Sequence, residues 1–194
     1  MAESGLRVVM LGAPGCGKGT QADLLAEVLR VPAISTGAML REAVEKGTEL
    51  GERVKAIMAA GALVDDALMA EVVAQRLGLE DAVRGFLLDG YPRTDGQAET
   101  LDRLLADRGK VLDAAIYLEV PEAVLVRRAL GRQREDDRED VVRERLRVYR
   151  EKTEPLVARF ERRGLLRRID GDRPMSEVTT SILRALGRGG QSWS

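Results

Sequence analysis

The chain has 194 residues, of which 44% are hydrophobic; this suits one compact α/β-sized domain with a buried core and leaves no room for a second full one. Its 31 Lys plus Arg nearly cancel its 32 Asp plus Glu, so no overall field draws it to nucleic acid or to an anionic membrane, and any basic site must be local. The single cysteine, Cys16, excludes a disulfide framework, and with no histidine a Cys/His zinc site is excluded too.

The opening MAESGLR carries an acidic residue where a secretory signal is basic, and the apolar run from Val8 to Leu11 is far too short for a bilayer. A soluble chain in a reducing cytoplasm is expected. Leu6 to Leu11 (LRVVML) is a short β-branched run ended by glycine, the pattern of a strand buried on both faces of a parallel sheet. Beyond the glycines, Gln21 to Leu29 places Leu24, Leu25, Val28 and Leu29 at helical spacing. Pro32 to Ser35 reads as a second short strand. Helical stretches follow at Ala38 to Glu45 and Leu50 to Ala60, interrupted by Gly47 and closed by Gly61. A further helix is expected from Asp66, with Asp65 and Asp66 as capping candidates.

Gly85 to Asp89, Ala114 to Val120 and Leu165 to Ile169 are three more runs of strand length, separated by helical patterns. Such alternation implies parallel pairing with right-handed crossovers. The longest helix is expected over Glu139 to Arg163, with Val142, Leu146, Tyr149, Leu156 and Phe160 as its inner stripe and a bend at Pro155. A last helix runs from Met175 to Leu186, and Gly187 to Ser194 reads as a mobile tail with Trp193 exposed.

The stretch GAPGCGKGT, Gly12 to Thr20, matches G-x-x-x-x-G-K directly after a predicted strand and at the start of a helix, which is the context a phosphate-binding loop requires. Glycines let the backbone curl so that successive N–H groups face phosphate oxygens, the helix start adds its positive dipole end, and Lys18 supplies a mobile cation. A glycine-rich turn that binds nothing needs neither four glycines nor a lysine at this offset. Cys16 has two readings, a thiol activated at a helix N-terminus or a small filler inside the loop. Most such loops follow the lysine with a Ser or Thr whose hydroxyl binds Mg²⁺, whereas here the position is Gly19.

Three further stretches, ISTGAMLR (Ile34 to Arg41), GALV (Gly61 to Val64) and FLLDGYPRTDGQ (Phe86 to Gln97), together with the loop, resemble the adenylate kinase family of nucleoside monophosphate kinases. The likeness covers essentially the whole chain in order. It implies an α/β fold of the P-loop nucleoside triphosphate hydrolase type: a five-stranded parallel sheet flanked by helices, forming a core over 1–35, 67–130 and 139–187. It also implies a small helical monophosphate-binding insert near 36–66 and a short lid near 131–138, followed by the tail 188–194. The activity implied is reversible phosphoryl transfer from MgATP to AMP, giving two ADP, by a cytoplasmic monomer whose partners are nucleotides rather than nucleic acid or membrane.

Carried over position by position, the resemblance places ATP against Gly15, Cys16, Gly17, Lys18, Gly19, Thr20 and Gly171, with Arg128 against the donor adenine. Arg41 and Arg93 grip the AMP phosphate as guanidinium forks. Thr36, Gly37, Leu63, Val64, Gly90 and Gln97 surround the acceptor. A Thr and a Gln at the positions of Thr36 and Gln97 go with AMP in the family, whereas uridylate/cytidylate kinases carry Ala and Asn there. For Thr36 a helix N-cap is the plainer alternative, and for Gln97 a solvent-facing helix residue. Lys18, Arg93, Arg132, Arg134 and Arg145 form the implied catalytic ring, Arg132 also reaching ATP and Arg134 and Arg145 also reaching AMP; Asp136 and Asp137 hold the closed form. Ala38 departs from the family, where many relatives have an acidic residue.

Phosphoryl transfer needs positioning and neutralisation of charge, and an acceptor phosphate is already ionised at neutral pH, so a chain without histidine can catalyse it. Because Gly19 has no hydroxyl, Mg²⁺ is expected to arrive with the nucleotide, with Asp89 anchoring its waters. The rival readings are a kinase for UMP, CMP or a deoxynucleotide, and a hydrolysing switch. A guanine-reading switch wants an Asn-Lys-x-Asp segment, and the sequence contains no asparagine.

Overall fold

The computed structural model describes residues 5–131 and 138–188. Five strands, β1 (Arg7–Leu11), β2 (Ala33–Ser35), β3 (Phe86–Asp89), β4 (Ala114–Glu119) and β5 (Leu166–Asp170), form one sheet in the order β2-β3-β1-β4-β5, every neighbouring pair parallel. The expected parallel sheet is therefore present, with strand ends within a residue or two of the sequence reading.

Both faces of the sheet are covered, which is why β1 is apolar without alternation. Val8 and Met10 enter one core cluster with Leu87, Ile116 and Leu118; Val9 and Leu11 enter the other with Phe86, Leu88 and Ala115. Arg7 is the polar exception. It is nearly buried at the start of β1, and its side chain meets Asp113 with Nε to Oδ2 at 2.9 Å, while its backbone N–H donates to the same oxygen at 2.7 Å. The pair pins β1 to the start of β4 at the end of the sheet away from the phosphate loop.

The helices are α1 (Lys18–Leu29), α2 (Thr36–Glu45), α3 (Glu49–Ala59), α4 (Asp66–Leu77), α5 (Asp95–Ala106), α6 (Glu122–Leu130), α7 (Glu139–Val148), α8 (Pro155–Arg162) and α9 (Met175–Ala185). The long helix expected over 139–163 is a correction. A π-helical turn, Tyr149–Thr153, separates α7 from α8, and Pro155 opens α8 instead of bending a continuous helix. Proline has no N–H to give and fits a first helical position, so the chain places it there and passes the interruption to the wider turn before it. The inner stripe is as expected: Val142, Leu146, Tyr149, Leu156 and Phe160 are all buried.

Capping is also corrected in detail. Ser35, not Thr36, caps α2, its Oγ accepting from the Ala38 N–H at 3.4 Å. Asp65 alone caps α4, accepting from Ala67 and Leu68. Helices α2 and α3 pack at a tight crossing, where Thr48 caps α3 and donates from Oγ1 to the Ala43 carbonyl at 3.1 Å. Gly51 makes that approach possible: a Cβ there would stand 2.1 Å from the Ala43 oxygen. Replacing Gly51 by Ala must push the two helices apart, a form of overpacking that costs about 1–3 kcal/mol. Urea unfolding of Gly51→Ala should show a lower midpoint with an unchanged slope; an unchanged midpoint would mean the crossing is loose.

Candidate active site

Parallel sheets bind ligands outside the carboxyl ends of their strands. Here β1 ends at Leu11 before the glycine loop, β3 ends at Asp89 before Gly90, and β2 ends at Ser35. A cleft of about 500 Å³ opens over these ends, the size of a small-molecule site. Gly15, Gly17, Lys18, Gly19 and Thr20 line it on one side; Gly37, Arg41, Leu63, Arg93 and Arg145 line it on the other, with Asp89 and Gly90 between.

The loop is built for an anion. Gly15 has φ +91°, and a Cβ there would lie 2.5 Å from the Leu125 carbonyl of α6, so the curled backbone needs glycine on two counts. Helix α1 starts after Gly17 with no side-chain cap and no acidic residue in its first turn. By contrast α3, α4 and α5 are capped by Thr48, Asp65 and Thr94. The first-turn N–H groups of α1, which border the cleft, thus have no side-chain cap. Lys18 folds over the loop, its Nζ donating to the carbonyls of Gly12 at 2.7 Å and Ala13 at 3.1 Å. Cys16 lies with Sγ 3.6 Å from that Nζ, but it is buried, and of its two sequence readings burial favours the filler.

The opposite wall is cationic. Burial draws the Arg93 guanidinium below its ordinary pKa, the charges of Arg145 and Arg41 push it the same way, and only Asp89 opposes them. Arginine nevertheless stays protonated, so the wall holds like charges close together. Arg93 is fixed by Nε donating to the Gly90 carbonyl at 2.8 Å. The stem of Arg145 lies against Gly61, where a Cβ would come within 3.0 Å of it.

Beside the cleft a narrower pocket is lined by Thr36, Leu40, Val64, Met69 and Gln97. Gln97 does not face solvent; it is 2% exposed, which removes the plainer reading of it. Thr36 is likewise buried, its Oγ1 donating to the Asp89 carbonyl at 3.3 Å. Arg128, on α6, donates to the Gly171 carbonyl at 3.0 Å and to Asp172 at 3.1 Å, so these two residues, far apart in sequence, meet at the edge of the cleft. Arg132, Arg134, Asp136 and Asp137, and most of the segment read as a lid, lie outside the described residues.

The sequence model described as Adenylate kinase matches residues 10–165. The chain belongs to the adenylate kinase family. A protein named Adenylate kinase from Xylella fastidiosa (strain 9a5c) is 49% identical over 186 residues, covering 94% of this chain and 100% of the relative. Adenylate kinases of Thermobifida fusca (strain YX), 49% identical over 185 residues, and Rhizobium meliloti (strain 1021), 48% identical over 191, each align with 93% of the chain and with 98% and 100% of their own lengths.

Three residues of this adenylate kinase family chain hold site groups that the sequence reading did not connect them with. Ser35 donates from Oγ to Asp89 Oδ2 at 3.3 Å. Thr153, in the π-helical turn, donates to the Arg93 carbonyl at 2.9 Å. Asp66 bonds Gln97. For Thr153 a signal existed: it is a polar residue at the inner-stripe spacing, four after Tyr149 and three before Leu156, where only a partnered hydroxyl is tolerated.

A cationic wall facing a free helix start should bind a tetrahedral anion even without nucleotide. Sulfate should raise the melting temperature of the wild-type chain, by an amount that grows with ln(1 + [L]/Kd). Lys18→Ala and Arg93→Gln should each lose part of the rise, and the double variant nearly all of it. An undiminished rise in the double variant would place the anion elsewhere.

Proposed function

We propose that the loop side of the cleft takes MgATP, the arginine side takes AMP, and the chain moves the γ phosphoryl group reversibly between them, giving two ADP. The observation that carries this is the meeting of Lys18 with Arg41, Arg93 and Arg145 in one cleft whose acceptor side ends in a pocket containing Gln97. Family membership supports the same reaction. A switch that binds one nucleotide has no use for the second anion wall.

In this reading the acceptor phosphate needs no base, and catalysis is in-line positioning with charge neutralised by Lys18, Arg93 and Arg145, joined by Arg132 and Arg134. Arg41 with Arg93 holds the AMP phosphate. Thr36, Gly37, Leu63, Val64, Gly90 and Gln97 enclose the rest of AMP, and Gly15 to Thr20, Arg128 and Gly171 hold ATP. We take 36–66 and 131–138 as the parts that close over the nucleotides and exclude water from the γ phosphate. A single-domain cytoplasmic monomer is the corresponding proposal for the whole chain; among the described residues no helix is long and apolar enough to cross a membrane.

The residues present fit a hydrated Mg²⁺. A Cβ on Gly19 would stand 3.5 Å from Asp89 Oδ2, so the carboxylate faces the space where a hydroxyl side chain is missing. Among the described residues no three acidic or sulfur side chains are grouped to cage a cation, which suits an ion that keeps its waters and phosphate oxygens. Asp89, steadied by Ser35, is the group proposed to hold those waters. The chemistry supplied by Mg²⁺ when bound is neutralisation of charge on the donor's β and γ oxygens.

Phosphorus NMR of the protein with MgATP and each nucleoside monophosphate in turn tests the reading. Diphosphate should form rapidly with AMP alone, and Lys18→Ala should lower kcat by at least about 100-fold, as loss of a transition-state charge partner does. Fastest turnover with UMP or CMP, or phosphate release with no acceptor present, would overturn it.

A further inference from the structure

We infer that Asp66 sets the base specificity of the acceptor pocket by fixing which way round the Gln97 amide lies. The inference rests on the proposed reading of Gln97 as the residue that meets the acceptor base.

Asp66 is the first residue of α4 but does not cap it; Asp65 does, accepting from the Ala67 and Leu68 N–H groups. Its carboxylate instead reaches across to the start of α5. There Oδ2 accepts from Thr94 Oγ1 at 2.7 Å and Oδ1 accepts from Gln97 Nε2 at 2.8 Å. The seat is close-fitting: a Cβ on Gly96 would come within 3.2 Å of Asp66 Oδ2. At the other end of the same amide, the Arg93 backbone N–H donates to Gln97 Oε1 at 2.7 Å.

These partners leave no choice of orientation. An ionised carboxylate only accepts and a backbone N–H only donates, so the amide nitrogen must face Asp66 and the amide oxygen must face Arg93. The reversed amide would set two donors face to face at Arg93 and two acceptors face to face at Asp66. Gln97 is buried, so neither end can turn to water instead.

By count, one N–H and one oxygen lone pair of the amide remain for the pocket that Thr36, Val64 and Met69 also line. A base offering an amino donor beside a ring-nitrogen acceptor complements that pair; adenine does so at N6 and N1. Hypoxanthine is nearly the same size but offers a carbonyl acceptor beside an N–H donor, the opposite pattern. A site whose buried polar groups are left mismatched rejects an analogue far more strongly than an apolar pocket can. Asp66 touches no substrate in this scheme; it is a positioning residue.

The test is the ratio of kcat/KM for AMP to that for IMP, measured with KM for ATP and the melting temperature. A residue that only ties α4 to α5 would, when removed, weaken both acceptors alike and leave the ratio unchanged. Asp66→Ala should shrink the ratio at least tenfold, mainly through a raised KM for AMP, with KM for ATP within about twofold, the loss expected of one charge-assisted hydrogen bond. Asp66→Asn keeps the shape and an acceptor oxygen but leaves only the Arg93 N–H to oppose the reversed arrangement, so its ratio should fall by a smaller factor; it carries the test if the alanine variant fails to fold. Gln97→Ala should also collapse the ratio. If Gln97→Ala collapses it and neither Asp66 variant moves it, the inference falls while the reading of Gln97 stands. If Gln97→Ala leaves it unchanged, that reading falls and takes the inference with it.

Discussion

Like charges held together ahead of any ligand are the constraint on which this architecture depends. Arg41, Arg93 and Arg145 line one cleft, and the charges of Arg41 and Arg145 both act on Arg93, with Asp89 as the opposing charge. Left to themselves such side chains would swing apart into water. The fold holds the central one twice over: its Nε donates to the Gly90 carbonyl, while its backbone N–H is taken by Gln97 and its carbonyl by Thr153. Two elements far apart in sequence therefore converge on one residue, which keeps positive charge concentrated beside the cleft. Electrostatic preorganisation of this kind does not have to be assembled at the moment of reaction.

The sheet supplies the rigidity that this demands. Buried strands with both faces covered leave no freedom for β1 and β3 to slide, and the Arg7–Asp113 pair at the opposite edge of β1 and β4 fixes register where no ligand helps. The loop after β1 and the turn after β3 then lie side by side by construction. One offers uncapped amides and Lys18, the other Asp89 and Arg93, so anions of two nucleotides can be brought end to end without either element moving relative to the sheet.

Much of this was legible in the chain. Apolar runs of strand length alternating with amphipathic helices were enough for the parallel sheet, and the phosphate loop declared itself because glycine, lysine and context coincide. What was hidden lies in contacts between elements. Thr153 lies 60 residues from Arg93, and Asp66 lies 28 and 31 residues from Thr94 and Gln97, and no local pattern reveals a partner at that distance. The π-helical turn was missed for a different reason. Its residues keep the inward stripe of a helix, so periodicity looks unbroken, and Pro155 marks an interruption without saying whether the chain bends or restarts. Likewise Ser35 and Thr36 are equally good caps by type; only the buried seat of Thr36 against Asp89 decides between them.

The central claim is that one cleft holds two nucleotides with their phosphates meeting between the loop and the arginines. Two adenosines joined by a chain of five phosphates would span both halves at once, and calorimetric titration combined with inhibition kinetics measures this directly. The account predicts one such molecule bound per chain, competitive with both MgATP and AMP. Competition with only one of the two, or binding of two molecules per chain, would contradict it.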